Sequence, residues 1–192
     1  MNKFKFAILA ATFISISCEK SQRTNSEQAP PKIAVQVQNK TTTPPITQLK
    51  RLNPSAFPAL PKDVQSFLLS GGYTIPQLAV ENTPHNVISA PFFKANQVDW
   101  AVLASRAGES EILIFQNGSV QQIFRLARRN DDDIRNIQNA TPTYIKEHHL
   151  SYGGSKLPEP LDHNGIDDGL DGKASMVWYF HNQQWLNLQG AD

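Results

Sequence analysis

The chain has 192 residues, of which 40% are hydrophobic, and a formal net charge of +1. This length suits one ordinary domain with appended segments. The charge is uneven, because residues 19–50 carry five lysines and arginines against two acids, whereas residues 51–192 carry eleven against fifteen. The acidic balance of the second part argues against nucleic acid as a partner, since phosphate backbones are bound by basic surfaces.

The N-terminal residues have the pattern of an export signal. Two lysines precede an apolar run over residues 6–16 that is too short to span a bilayer. The chain contains one cysteine, Cys18, so no intramolecular disulfide can form. Residues 15–18, Ser-Ile-Ser-Cys, resemble the lipobox of bacterial lipoproteins, which usually has Leu where Ser15 stands.

The lipobox resemblance implies a location. It implies removal of residues 1–17 as a signal peptide and attachment of lipid to the thiol of Cys18. Several acyl chains, palmitate among them, would then anchor the protein firmly in a lipid bilayer. Lipoproteins retained at the inner membrane tend to have Asp after the cysteine, whereas Glu19 stands here. The expected location is therefore the cell envelope, at the outer membrane facing the periplasm in a Gram-negative cell. An ordinary secretory signal is the alternative.

Residues 18–50 are predicted to be a lipid-anchored, disordered tether. They are rich in Gln, Ser, Thr, Asn, Lys and Pro, and such a segment buries too little apolar surface to offset its ordering entropy. Residues 33–37 alternate well enough to favour a short local strand. Residues 51–192 contain the periodic apolar patterns and are predicted to form a single globular domain.

The globular part begins with one clear helix signal, over residues 61–70. Val64, Phe67 and Leu68 have the i, i+3, i+4 spacing of one helix face. The pair Gly71-Gly72 should end the helix in a left-handed conformation. A second helix is allowed around residues 131–139.

Strand patterns dominate from residue 86 onward. The expected strands cover residues 87–93, 100–105, 111–116, 119–126, 174–181 and 185–189. Asn117-Gly118 predicts a two-residue hairpin, which would place Phe115 opposite Val120 and Ile112 opposite Ile123. Several strands are apolar on both faces, which indicates a covered sheet. We therefore predict a single α+β domain, an antiparallel β-meander with one or two short helices. A small all-β barrel or sandwich is the alternative.

An aspartate-rich segment over residues 161–173 is the most distinctive feature of the domain. Oxygen ligands on a chain that can turn at glycines suit a hard cation such as Ca²⁺. The spacing does not fit an EF-hand, however, and a solvated glycine-rich loop between strands is the simpler expectation. The candidate cation ligands are Asp162, Asn164, Asp167 and Asp171.

The histidines offer little sign of a site. His163 could act with Asp162 or Asp167 as a general acid or base, but a lone histidine beside acids on a loop is expected to be a surface residue. His148 and His149 are adjacent, so on a strand they would point to opposite faces and be poor joint ligands.

The remaining polar and aromatic residues are expected to be structural. The tryptophans at 100, 178 and 185 lie in strand patterns and should be core or half-buried sheet residues rather than a sugar-stacking platform. Four arginines flank the aspartates at 131–133, and this pattern is typical of a solvated mixed-charge face. They are Arg125, Arg128, Arg129 and Arg135.

Two segments of the domain resemble secreted bacterial proteins that have no assigned activity. One is the F…DWAVL stretch over residues 92–103. The other is the C-terminal run from Asp-His-Asn-Gly-Ile-Asp-Asp at 162–168 to Trp-Leu-Asn-Leu-Gln-Gly-Ala-Asp at 185–192. The resemblance covers at most residues 85–192, and it implies no functional residue.

The sequence favours a non-enzymatic envelope lipoprotein that binds or supports another envelope protein or polymer. It contains no nucleophile elbow, Walker loop, dinucleotide-binding fingerprint or His-Glu-x-x-His motif. The alternative is an envelope hydrolase that uses the Asp162–Asp171 segment, with a metal ion as its cofactor.

Overall fold

The computed structural model describes residues 49–78, 81–131, 133, 135–170 and 173–192. These residues fall within one compact unit that extends from Thr43 to Asp192. The predicted signal, Cys18 and the strand expected at residues 33–37 lie outside the described residues, as does the tether up to residue 48. None of the described helices is long and apolar enough to cross a membrane.

Two α-helices and ten strands make up the described part of the chain. The helices are α1 (Lys62–Ser70) and α2 (Pro142–His149). The strands are β1 (Lys50–Leu52), β2 (Ile75–Gln77), β3 (Val87–Ala90), β4 (Asp99–Arg106), β5 (Glu109–Phe115), β6 (Ile123–Asn130), β7 (Arg135–Ala140), β8 (Gly165–Leu170), β9 (Ser175–His181) and β10 (Gln184–Gln189).

The strands form three antiparallel sheets. β1 and β2 make a small pair, β3 to β6 form a first meander, and β7 to β10 form a second meander in which α2 connects β7 to β8. Neither four-stranded sheet closes into a barrel within the described residues. The predicted α+β class with an antiparallel meander is thus confirmed.

The α1 helix forms and ends as its sequence predicts. Val64 and Leu68 are fully buried on one face. Gly72 has a φ of +69°, and the N–H of Tyr73 bonds the carbonyl of Leu68 at 2.9 Å while the N–H of Gly72 bonds that of Leu69 at 3.0 Å. These two bonds form a Schellman cap, which satisfies carbonyls that the end of the helix leaves unpaired.

The Asn117-Gly118 turn has the expected conformation, but the predicted two-residue hairpin was wrong, because seven residues connect Phe115 to Ile123. Both turn residues have positive φ, 52° and 66°, as a type I′ turn requires. The strands resume pairing later than predicted, because Phe115 lies opposite Ile123, not Val120. Val120 instead packs against the apolar cluster beneath α1, so burial of that side chain displaces it from the strand. The predicted pairing of Ile112 with Ile123 was also wrong, because Ile112 lies opposite Leu126.

The second helix lies beyond the segment where a helix was allowed. Residues 135–140 form β7, not a helix, with Ile137 buried between the sheets. The helix begins after Thr141, whose hydroxyl accepts the N–H of Tyr144 at 3.2 Å, with Pro142 at the first helical position. His148 and His149 therefore lie on a helix rather than on a strand.

The aspartate-rich segment is not a solvated loop, since its central part is strand β8. Ile166 is fully buried in the core between the sheets. Gly165 is required by close packing, because a Cβ there would lie 2.6 Å from Cγ1 of Val177. Asp168 is buried opposite Arg129, which compensates its charge. Because the charge of Asp168 is paired, this residue can lie within strand β8, although the composition of the segment is typical of a loop.

Three apolar clusters hold the layers together. The central cluster draws on both meanders, which places it between the two sheets. The other two occupy the outer faces: one lies under α1, and the other lies between the second meander and α2. Each four-stranded sheet therefore has an apolar cluster on both faces, as its two-sided apolar strands indicate.

Candidate functional site

A polar depression lies on the outer face of the first meander, beyond the part that α1 covers. It has a volume of about 420 Å³, within the range typical of small-molecule sites, roughly 300–1,000 Å³. We call it the arginine cleft. Its lining contains three arginines and two glutamates: Tyr73, Arg106, Ala107, Glu109, Ser110, Glu111, Arg125 and Arg128.

A β-bulge in β6 shapes the arginine cleft. The register between β5 and β6 shifts between Ser110 and Ile112, and Ala127 has a φ of +53°. Side chains alternate along a regular strand, so Arg125 and Arg128, three residues apart, would point to opposite faces. One extra residue restores them to the same face, and bulges commonly redirect side chains in this way.

Two cross-strand ion pairs order Arg125 and Arg128, the arginines of β6 that line the cleft. Arg125 bonds the carboxylate of Glu111 and donates to the hydroxyl of Tyr73 at 3.1 Å. Arg128 bonds the carboxylate of Glu109. Because both arginines are already held, binding to them requires less loss of side-chain entropy than binding to free arginines.

Arg106 is the cation of the cleft that forms no ion pair with a carboxylate of the described residues. Its guanidinium carbon lies 4.8 Å from the ring centroid of Tyr73, in a cation–π arrangement. Its only hydrogen bond among the described residues is a long one, 3.4 Å to the carbonyl of Gly71, and no ion pair involves it within that part of the chain. Arg106 therefore has donors available for a ligand.

The positive charge of the cleft is permanent. The hydrogen bond to Tyr73 raises the pKa of Arg125, with burial opposing and the charge of Glu111 reinforcing that effect. The hydrogen bond to Glu109 likewise raises the pKa of Arg128. Arginine is already protonated at any pH that proteins tolerate, so the arginines of the cleft will not lose their charge on titration.

The turn at the rim of the cleft contains a strained alanine. Ala107 joins β4 to β5 with a φ of +55°, a conformation that costs a residue with a Cβ roughly 1–2 kcal/mol. We expect Ala107→Gly to raise the free energy of unfolding by about 0.5–1 kcal/mol, because relief of strain exceeds the added entropy of the unfolded chain. Urea unfolding measures this change.

The matched control for Ala107→Gly is Ala104→Gly, in the buried middle of β4. Glycine in a strand interior costs about 0.5–1 kcal/mol, so the control should destabilise the fold. Destabilisation by both substitutions would show that Ala107 is not strained.

His163 is buried, so the expectation that it is a surface residue was wrong. Its ring stacks on Tyr179 with centroids 4.4 Å apart. Nδ1 lies 2.7 Å from the carboxylate of Asp162, and Nε2 lies 2.9 Å from the carbonyl of Phe180. The alternative pairing with Asp162 is present, whereas no hydrogen bond joins His163 to Asp167 in the described residues. The contacts hold the entry to β8 against β9.

Of the four candidate cation ligands, the three that the structure describes have separate partners. Asp162 contacts His163, Asp167 contacts Tyr144, and the backbone N–H of Asn164 bonds the carbonyl of Pro91. Asp171 lies outside the described residues. Within the described ranges, no three His, Cys, Asp or Glu side chains come close enough together to hold a metal ion. Calcium binding by this segment therefore stays a prediction.

Asp167 lies on the outer face of the second meander. The hydroxyl of Tyr144 donates to its Oδ2 at 3.1 Å, and that hydroxyl also lies 3.4 Å from Oγ of Ser175. Its Oδ1 is buried and has no hydrogen-bond partner among the described residues. Burial raises the pKa of Asp167 above its ordinary value, and burial also raises the pKa of Tyr144.

The raised pKa of Asp167 predicts a pH dependence of stability. The folded state binds this proton more tightly than the unfolded chain, so ionisation weakens the fold. We expect Asp167→Asn to be more stable than the wild type at pH 7, with the difference shrinking as the pH falls through the raised pKa toward about 4. Thermal unfolding of both proteins across that range measures it, and a difference that grows on acidification would contradict the assignment.

The expectation that Arg129 belongs to a solvated mixed-charge face was wrong. The bulge at Ala127 turns this side chain inward, between the sheets. Its two terminal nitrogens each lie 2.9 Å from a carboxylate oxygen of Asp168, and the side chains are only 12% and 3% exposed. Arg129 is therefore part of the contact between the meanders rather than of a surface patch.

The three tryptophans lie in strands, as expected. Trp100 packs against the cluster under α1, and Trp178 and Trp185 pack against the central cluster. Trp185 also forms an aromatic group with the rings of Phe93, Phe124 and Phe180, at centroid distances of 5.4–6.5 Å. These contacts fit a structural role.

Comparison with known protein families, with curated proteins and with solved structures gave no significant match. The function therefore has to be argued from the site itself. Sequence reasoning missed the arginine cleft, because the spacing of Arg125 and Arg128 places them on one face only when a bulge intervenes. A weak signal existed, since Ala-Arg-Arg over 127–129 interrupts the alternation of β6.

Proposed function

We propose that the chain is a bacterial envelope lipoprotein that binds an anionic component of the envelope through the arginine cleft. The observation that supports this most directly is Arg106, an exposed arginine without a carboxylate partner among the described residues, beside two further arginines that are already ordered. Fixed guanidinium groups are the usual protein donors for carboxylate and phosphate. The role is binding rather than catalysis.

The proposed anchor is the acylated thiol of Cys18. Support comes from the signal pattern of residues 1–17 and from the lipobox-like Ser-Ile-Ser-Cys. Glu19 favours the outer membrane, where the domain would face the periplasm in a Gram-negative cell. An anchored domain needs only modest affinity, because attachment to the same membrane raises the effective concentration of its ligand.

Sedimentation with isolated envelopes tests the binding role. The mature chain from Glu19 onward, produced without acyl groups, retains every contact described above, since the described residues begin at 49. We expect this chain to sediment with envelopes and to be released by added salt, because salt screens exposed charges. The double variant Arg106→Glu, Arg125→Glu should stay in the supernatant.

The control for the sedimentation is Lys156→Glu, which reverses one exposed charge in the connection between α2 and β8, outside the cleft lining. It should sediment like the wild type. Equal sedimentation of the cleft variant and the control, or no sedimentation of the wild type, would contradict binding through the cleft.

The anchor has its own test. Intact-mass spectrometry of the full-length protein purified from membranes should show a chain that begins at Cys18 and carries acyl groups. Cys18→Ala should remain unprocessed and without lipid. A wild-type chain with a mature N-terminus and no lipid would refute the anchor while leaving the cleft untouched.

A further inference from the structure

The arginine cleft presents its cations from two strands. Arg106 ends β4, whereas Arg125 and Arg128 lie on β6, with β5 between them. All three line one depression of about 420 Å³. A ligand that neutralises more than one of them must therefore offer acceptor oxygens in several directions.

That requirement separates two kinds of anion. A carboxylate has two oxygens in one plane, which match the fork of a single guanidinium. A phosphoryl group places three oxygens around a tetrahedral centre, so two or three guanidinium groups can donate to it at once. Resting on the proposed function, we infer that the arginine cleft binds a phosphate or phosphomonoester group, with Arg106 as the first contact.

Glu109 and Glu111 act as the internal counter-ions of this site. They pair with Arg128 and Arg125. The side chains of Arg128 and Glu109 are 71% and 45% exposed, and exposed ion pairs contribute little to stability. A bound phosphoryl group therefore displaces Glu109 from Arg128 at small cost, and neutralising Glu109 should strengthen anion binding.

Isothermal titration calorimetry of the mature chain with inorganic phosphate tests the inference at low salt. We expect binding that weakens at least tenfold in Arg106→Gln and strengthens several-fold in Glu109→Gln. Acetate should bind more weakly than phosphate at equal ionic strength. The control Lys156→Glu should bind phosphate like the wild type, and thermal unfolding should confirm that each variant is folded.

Opposite effects of the two cleft substitutions keep the test decisive. A misfolded variant loses affinity but does not gain it, so stronger binding by Glu109→Gln supports the site directly. No phosphate binding by the wild type, equal binding by Arg106→Gln, or acetate binding at least as tight as phosphate would overturn the inference.

Two sources of the phosphoryl group are distinguished by vesicles. Phosphatidylcholine vesicles with and without phosphatidic acid are mixed with wild-type and Arg106→Gln mature chains, which share the same basic residues 19–50. If retention of the chain on vesicles needs both phosphatidic acid and Arg106, and free phosphate abolishes it, the phosphoryl group belongs to a lipid headgroup. Binding of free phosphate alone assigns a soluble or polymer-borne group.

The inference and the proposed function fail in different ways. The chain could bind envelopes through the cleft and yet neither bind phosphate nor be released from envelopes by phosphate. That result would overturn the ligand class and leave the binding role intact. Phosphate binding that depends on Arg106, without envelope binding, would overturn the binding role and leave the ligand class intact.

Discussion

Replacing Arg129 with leucine is expected to lower the free energy of unfolding by about 3–5 kcal/mol. The substitution leaves the carboxylate of Asp168 buried between the sheets without its bidentate partner. Trp178 donates to the same carboxylate at 3.4 Å, but one neutral donor cannot replace a guanidinium. Urea unfolding of the wild type and the variant measures the loss.

A second substitution decides whether the unpaired charge causes the loss. In the double variant Arg129→Leu, Asp168→Leu no buried charge remains, and apolar replacements of buried ion pairs are often neutral or stabilising. We therefore expect the double variant to recover most of the stability that the single variant loses. If removal of Asp168 instead adds a further loss of stability to that of Arg129→Leu, the pair contributes through packing alone. The account of the contact between the meanders would then be wrong.

Asp99→Ala is expected to cost a similar amount, about 3–5 kcal/mol, because several buried donors lose their acceptor. Asp99 is fully buried in β4. One carboxylate oxygen accepts the N–H groups of Phe92 and Phe93, at 2.9 and 3.2 Å. The other accepts the N–H of Asn117 at 2.9 Å and the side-chain amide of Gln97.

Asp99 joins two turns, and a substitution that keeps one of its two acceptor atoms should loosen one of them. Hydrogen exchange should accelerate in Asp99→Asn either at Phe92 and Phe93 or at Asn117, because the amide that replaces the carboxylate accepts at only one of its two atoms. Glu147→Gln, an exposed substitution on α2, provides the control and should change neither stability nor exchange. Unchanged exchange in Asp99→Asn would contradict the assigned role.

Local periodicity was sufficient to predict α1 and most of the strands. Val64 and Leu68 repeat at helical spacing, and Val177 and Tyr179 alternate with Trp178 on β9, so each pattern identifies its element. These elements are stabilised mainly by apolar burial, which single-sequence patterns record directly.

Long-range partners were not predictable in the same way. Asp168 lies in a segment that reads as a loop by composition, and its strand forms around a partner 39 residues away, Arg129. Thr141-Pro142, by contrast, is a local signal that predicts the start of α2. The bulge at Ala127 has no glycine to mark it, so neither the inward turn of Arg129 nor the arginine cleft could be derived from spacing.

The central claim is that the arginine cleft of the anchored protein contacts an envelope component. Photocross-linking in intact cells tests it most directly, with a photoreactive residue in place of Ala107, at the exposed rim of the cleft, or of Leu150, at the end of α2 and 54% exposed. We predict a discrete cross-linked product from position 107, lost when Arg106→Gln is added, and none from position 150. Equal cross-linking from both positions, or a product at position 107 that persists in Arg106→Gln, would contradict the claim.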